Sequence, residues 1–263
     1  MQVKGKVRVV FRINHILKKP EDILPWGNSL HWFGLSDGLL WIETDDGCIY
    51  EYTTEHMTLD DDKTRYNDYQ LERFVQDFSC VFQMISRSVP REIYEVAEKF
   101  IDMIFKWKEL HEDDDDDSYD DFYFNEFCTL YDVFGLRGID SMHLIDDPNV
   151  YFIRCESMIK IIWVSDDTDG RWTSPSGFHV MNYDEFVSES ERFLNSYLDD
   201  MEAMVNRLLV HPLENVDIDY ELLAKDLKDR KLVLSQAMKE LHGDNEPDMN
   251  IMPLFRKMLN EIS

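Results

Sequence analysis

Residues 150–164 read Val150-Tyr151-Phe152-Ile153-Arg154-Cys155-Glu156-Ser157-Met158-Ile159-Lys160-Ile161-Ile162-Trp163-Val164. Two runs rich in β-branched and aromatic residues flank Glu156-Ser157, and two residues are the length of a tight hairpin loop. The strands are therefore expected to be antiparallel neighbours, since a parallel pair needs a long crossover. Downstream, Thr168-Asp169-Gly170 and Ser174-Pro175-Ser176-Gly177 read as turns, and Phe178-His179-Val180 as an edge strand. Asn182, or Tyr183-Asp184, then opens a long helix whose apolar stripe includes Phe186, Phe193, Tyr197, Met201 and Val205. Pro212 breaks it. A further helix runs over about 219–241, and a short one closes the chain.

Working upstream from the hairpin, Phe122, Phe124, Phe127, Leu130, Tyr131 and Phe134 resume an apolar pattern that predicts a short helix ending near Gly135. Residues 112–121 hold eight carboxylates in ten positions, and such a block is expected to be an exposed, mobile loop. From about residue 67, Leu71, Phe74, Val75, Phe78, Phe82 and Ile85 recur at helical spacing. Pro90 suits the first turn of a second helix bearing Ile93, Ala97, Phe100 and Ile104, so an antiparallel αα-hairpin is expected. Nearer the N-terminus, His31 to Leu35, Leu39 to Glu43 and Cys48 to Tyr52 are separated by Ser36-Asp37-Gly38 and Asp46-Gly47, which predicts a β-meander. Residues 6–14 alternate Val7, Val9, Phe11 and Ile13 against Lys6, Arg8 and Arg12, a half-buried strand.

The class is thus α+β: antiparallel meander and hairpins packed on amphipathic helices. The expectation is a single domain over 1–263, with possible sub-units at 1–111 (meander plus helical hairpin) and 122–263 (hairpin plus C-terminal helices) joined by 112–121. A Trp-bearing hairpin followed by an aromatic-led helix occurs in both halves, at Trp41 and Trp163, which raises a diverged internal duplication sharing one sheet.

Across 263 residues, 27 Lys+Arg stand against 54 Asp+Glu, a net charge of −27. That excludes a protein built to grip nucleic-acid phosphates and disfavours docking on an anionic membrane. No uninterrupted apolar stretch of signal-peptide type opens the chain and no run approaches a membrane span, so a cytoplasmic protein is expected. Cys48, Cys80, Cys128 and Cys155 form no C-x-x-C pair and read as reduced core thiols. No H-E-x-x-H, phosphate-loop, dinucleotide or nucleophile-elbow motif occurs. Asp113 to Asp117 lack the glycine turn of a calcium loop. Asp166-Asp167-Thr168-Asp169-Gly170 comes closer to one but no Glu follows to close it. Neither a metal nor a cofactor is expected.

The run Pro25-Trp26-Gly27, Leu30-His31-Trp32-Phe33-Gly34-Leu35-Ser36-Asp37-Gly38 and Trp41-Ile42-Glu43 resembles an uncharacterised bacterial domain family of unknown function. The similarity returns at Trp163, Trp172 and Tyr183-Asp184-Glu185-Phe186, and so spans most of 7–205. The family has an aromatic residue just before the second Trp, where this chain has Leu39-Leu40. The resemblance implies no catalytic residues. Proteins of this kind are similar in size, charge and compartment to immunity proteins of bacterial toxin systems.

Three functions are open. The first is a cytoplasmic immunity protein that neutralises a cognate toxin, or another basic protein, by direct binding. Its contacts would be Asp113, Asp114, Asp115, Asp116, Asp117, Asp120 and Asp121, with Asp166, Asp167 and Asp169. The second is an enzyme with a cryptic site at His31, Asp37 and the Trp cluster. The third is a nucleic-acid mimic that occupies a host DNA- or RNA-binding protein. The oligomeric state is open in all three.

Overall fold

The computed structural model describes residues 11–23, 29–59, 64–112, 116–139, 148–166, 168–214, 216–243 and 246–263. Strand β1 (Phe11–Leu17) pairs antiparallel with β2 (Asp37–Thr44), with Phe11 opposite Thr44 and Leu17 opposite Gly38. A Cβ at Gly38 would lie 2.3 Å from the Ile16 carbonyl oxygen, so only glycine allows this approach. The expected strand over 6–14 is met from Phe11 onward, with Phe11 and Ile13 buried; residues 6–10 lie outside the described residues, as does Pro25-Trp26-Gly27.

The stretch from His31 to Leu35 is not a strand. Trp32–Leu35 forms a short helix, α1, and Asp37-Gly38 belongs to β2 rather than to a turn. His31 caps the helix through Nδ1, which accepts from the Gly34 N–H at 3.5 Å. The cause is tertiary. Trp32 Nε1 donates to buried Glu72 at 2.7 Å, the Leu71 N–H donates to the Ser36 carbonyl at 2.8 Å, and the Glu72 N–H donates to Ser36 Oγ at 3.2 Å. These bonds fasten α1 to the start of a later helix and override local strand propensity. β3 (Gly47–Ile49) and β4 (Asn67–Gln70) pair antiparallel with successive stretches of β2.

Helix α2 (Thr54–Leu59) precedes β4; α3 (Leu71–Cys80) and α4 (Phe82–Ile85) follow it. α5 (Arg91–Glu95) and α6 (Ala97–Glu109) then turn into different surroundings. The stripes of α3 and α4 enter one apolar core, and those of α5 and α6 another. The two helical stretches are therefore not the packed αα-hairpin expected. Next come α7 (Asp116–Phe122), a π-helical segment at Tyr123–Phe127, and α8 (Cys128–Gly135). The acidic run is thus partly helix rather than loop: acidic residues suit a helix's first turn, where the dipole is positive.

β5 (Gly138–Ile139), β6 (Asn149–Cys155), β7 (Met158–Val164) and β8 (Gly177–Asn182) form the second sheet in that order, all antiparallel. Cys155 faces Met158 across the two-residue loop, and Glu156 accepts the positive φ of +54° that such a turn demands. β8 is the expected edge strand. Asn182 caps α9 (Tyr183–Val210), its side-chain oxygen accepting from the Asp184 N–H at 2.9 Å; Asp219 caps α10 (Tyr220–Leu241); α11 (Met252–Glu261) ends the chain.

α9 also closes the free edge of β1. The Ile13 N–H donates to Glu189 Oε1 at 2.9 Å, and Arg192 donates to the Ile13 carbonyl. This hides an edge that would otherwise template pairing with another chain. The larger core collects one face of β1 and β2 with α3, α4, α9 and α10, from either side of 112–121. The smaller one joins α5, α6, α8 and α11 on the outer face of β6 and β7. The chain is α+β as expected. The two halves do not share one sheet, and the unlike strand orders give no support to a duplication. The four cysteines are free, but only Cys155 is buried; Cys48 and Cys128 are half-buried and Cys80 is exposed, so they are not all core thiols.

Candidate protein-docking surface

A row of rings runs along the smaller core, with Phe127 buried and Tyr119, Tyr123 and Tyr131 half-buried. Tyr119, Tyr123, Phe127 and Tyr131 lie at steps of four, with successive centroids 5.9, 5.3 and 5.8 Å apart. Four residues of α-helix advance about 400°, so such a row drifts around the axis by about 40° per step. The wider turn of the π segment at Tyr123–Phe127 falls short of a full circle over the same four residues and cancels part of that drift. The rings consequently stay on one side, as a ladder. Lys108 of α6 holds its ammonium 5.8 Å from the ring centres of both Tyr123 and Phe127, so these faces already carry a cation.

Three apolar side chains stand out around the ladder. Phe124 is 66% exposed, Leu110 52% and Phe105 43%. Phe105 lies 5.9 Å from Phe127 and 6.1 Å from Tyr131, so it extends the ladder sideways; Phe124 meets Tyr123 edge-on at 5.2 Å. Asp102, Glu109, Glu112, Asp120 and Asp121, all exposed, belong to the same stretch of α6, its C-terminal turn and α7. The support behind this surface is rigid. Phe100 stacks on Phe134 at 4.2 Å, and Trp107 donates its indole N–H to Glu261 of α11. Burial alone would raise the Glu261 pKa. Hydrogen bonds from Trp107 and His111, with Lys257 nearby, outweigh it and hold the carboxyl below its ordinary value.

Of the acidic residues singled out in the sequence, Asp120 and Asp121 are exposed on α7, between Tyr119 and Tyr123 in the chain. Asp116 and Asp117 belong to α7; Asp113, Asp114 and Asp115 lie outside the described residues, as does Asp167. Asp166 and Asp169 are exposed in the loop from β7 to β8. That loop's backbone bonds run to residues of the first sheet's end: Thr53 N–H to the Arg171 carbonyl at 2.8 Å and Thr173 N–H to the Glu51 carbonyl at 2.9 Å. No described contact brings the two acidic groups together. His31 and Asp37 are likewise given separate work, the first as a helix cap and the second as a partner of Lys18 at 3.1 Å. Trp32 is buried on Glu72, whereas Trp41 stacks on Tyr66 at 4.1 Å with its N–H on Glu43. Phe124, expected in the apolar stripe with Phe122 and Phe127, is exposed instead, and Tyr131 is half-buried. The signal was present in the buried set Phe122, Phe127, Leu130 and Phe134, whose first step is five residues instead of three or four.

No helix among the described residues is long and apolar enough to cross a membrane. The chain belongs to the Family of unknown function (DUF5984), whose model matches residues 12–251. No match was found among curated proteins or among solved structures.

Proposed function

We propose that the chain is an acidic binding protein that acts as an immunity protein, covering a basic, nucleic-acid-targeting toxin. The observation that carries this reading is the ladder surface, where Phe124, Phe105 and Leu110 stand exposed beside a group of carboxylates. Exposed rings at a surface centre supply the anchors that dominate binding energy, while surrounding charge sets the approach of the partner. A toxin that grips phosphates is basic, and its cationic face meets a net charge of −27. Partner Arg or Lys side chains would find the exposed ring of Phe124 beside these carboxylates.

The test is co-purification from the native operon, with association and dissociation then measured on the retained protein. A basic protein is expected, associating about tenfold or more slowly when salt rises from about 50 to about 300 mM. Asp120→Asn with Asp121→Asn should flatten that salt dependence, and Phe124→Ala should raise the off-rate by about 5- to 30-fold. The reading fails if no basic protein is retained at low salt, or if all these variants bind like the parent.

A further inference from the structure

A cavity of about 220 Å³ lies between the segment after α4, the outer end of α8 and the approach to α11. Arg137 lines it and is only 5% exposed. Its Nη1 donates to the Val133 carbonyl at 2.6 Å, but its Nε has no hydrogen-bond partner. Burial and then the like charge of Arg87, which lines the same cavity, press its pKa down to about 10. Among the described residues no carboxylate forms an ion pair with either guanidinium. Arg137 is buried whereas Arg87 is exposed; a buried charge is costly unless paired, and a bound carboxylate would relieve it. The planar fork of Arg suits a carboxylate.

The same cavity also has acidic and apolar walls. Asp132, Glu246 and Asp248 line it and are exposed, and Asp248 is fixed by accepting the Asn250 N–H at 3.0 Å. Met84, Val89, Val133 and Ile251 also line it. A ligand that satisfies all three walls carries a carboxylate, an ammonium and a small apolar body.

We infer that this cavity binds a free α-amino acid with an apolar side chain, its carboxylate on Arg137 and Arg87 and its ammonium toward Asp132, Glu246 and Asp248. The inference is independent of the docking surface. It is tested by titrating the full chain with L-leucine, leucinamide, N-acetyl-leucine and inorganic phosphate, read by calorimetry and by thermal unfolding. Leucine is expected to bind saturably and raise the melting temperature. Leucinamide, without the carboxylate, and N-acetyl-leucine, without the ammonium, should bind at least about tenfold more weakly. Arg137→Met should weaken leucine about 100-fold while leaving a folded protein, because it removes an unpaired buried charge. Asp132→Asn is the second variant, read in the same titration, and should weaken leucine but not N-acetyl-leucine. No saturable leucine binding up to about 10 mM, equal binding of phosphate or of either derivative, or unchanged binding by Arg137→Met would each overturn it.

Discussion

Replacing Glu72 by Gln removes one charge and changes almost no volume, so the effect isolates electrostatics. Glu72 is 1% exposed and accepts three hydrogen bonds. Oε2 takes the Trp32 N–H and the Tyr197 hydroxyl, each at 2.7 Å, and Oε1 takes Arg230 Nη1. Burial, and after it the Glu72 charge, drives the Tyr197 pKa well above 10. A Gln amide cannot serve this set. With its oxygen toward the indole and phenol, its NH₂ faces the guanidinium; turned over, its NH₂ faces the indole N–H. Breaking a buried ion pair costs about 3–5 kcal/mol, and Arg230 is partly exposed, which places Glu72→Gln at about 3 kcal/mol. For a chain of this size that lowers the melting temperature by about 6–12 °C. Urea unfolding should show a lower midpoint at unchanged slope. Arg230→Met, combined with Glu72→Gln, should cost less than the sum of the two alone by about 1–3 kcal/mol. A Glu72→Gln change within about 0.5 kcal/mol of the parent, or strict additivity with Arg230→Met, would refute the reasoning.

Gly38→Ala puts a methyl against the Ile16 carbonyl and should destabilise by about 2–3 kcal/mol, seen as a shifted urea midpoint. Lys160 is nearly buried and pairs with Glu98 at 2.6 Å, so Glu98→Gln should cost about 2 kcal/mol while Lys160→Met is close to neutral; equal costs would sink the argument. His15 has its pKa lowered from 6.5 by burial, against the opposing pull of Asp200 at 3.0 Å. Between the folded value and 6.5 the unfolded chain binds more protons, so the stability His15 confers is full above that window and declines as pH falls through it. The gap in urea midpoint between the parent and His15→Gln should therefore narrow from about pH 7.5 to about pH 5; a constant gap would contradict it.

What could be read from the chain was local. The hairpin at Glu156-Ser157, the caps at Asn182 and Asp219 and the long stripes of α9 and α10 each depend on a few neighbouring residues. What could not be read depended on distant partners. α1 reads as a strand because its aromatic residues suit both states, and the deciding bond comes from Glu72, forty positions on. The cavity at Arg137 was invisible because its walls come from 84–90, 129–137 and 246–251. Beside the ring row the carboxylates are legible as composition. The exposure of Phe124 is not, because a single residue of π geometry changes which side chains face inward.

The seal on the first strand also fixes an order of events. Ile13 receives its outer hydrogen bonds from a helix 176 residues further along. At about 5–20 residues per second, a ribosome needs about 9–35 s to deliver that helix. Throughout this interval the nascent chain carries an unfinished strand whose outer row of amides and carbonyls has no mate. Chaperone holding, or slowed release of the early segment, would therefore bear more on the yield of native protein than the final stability does.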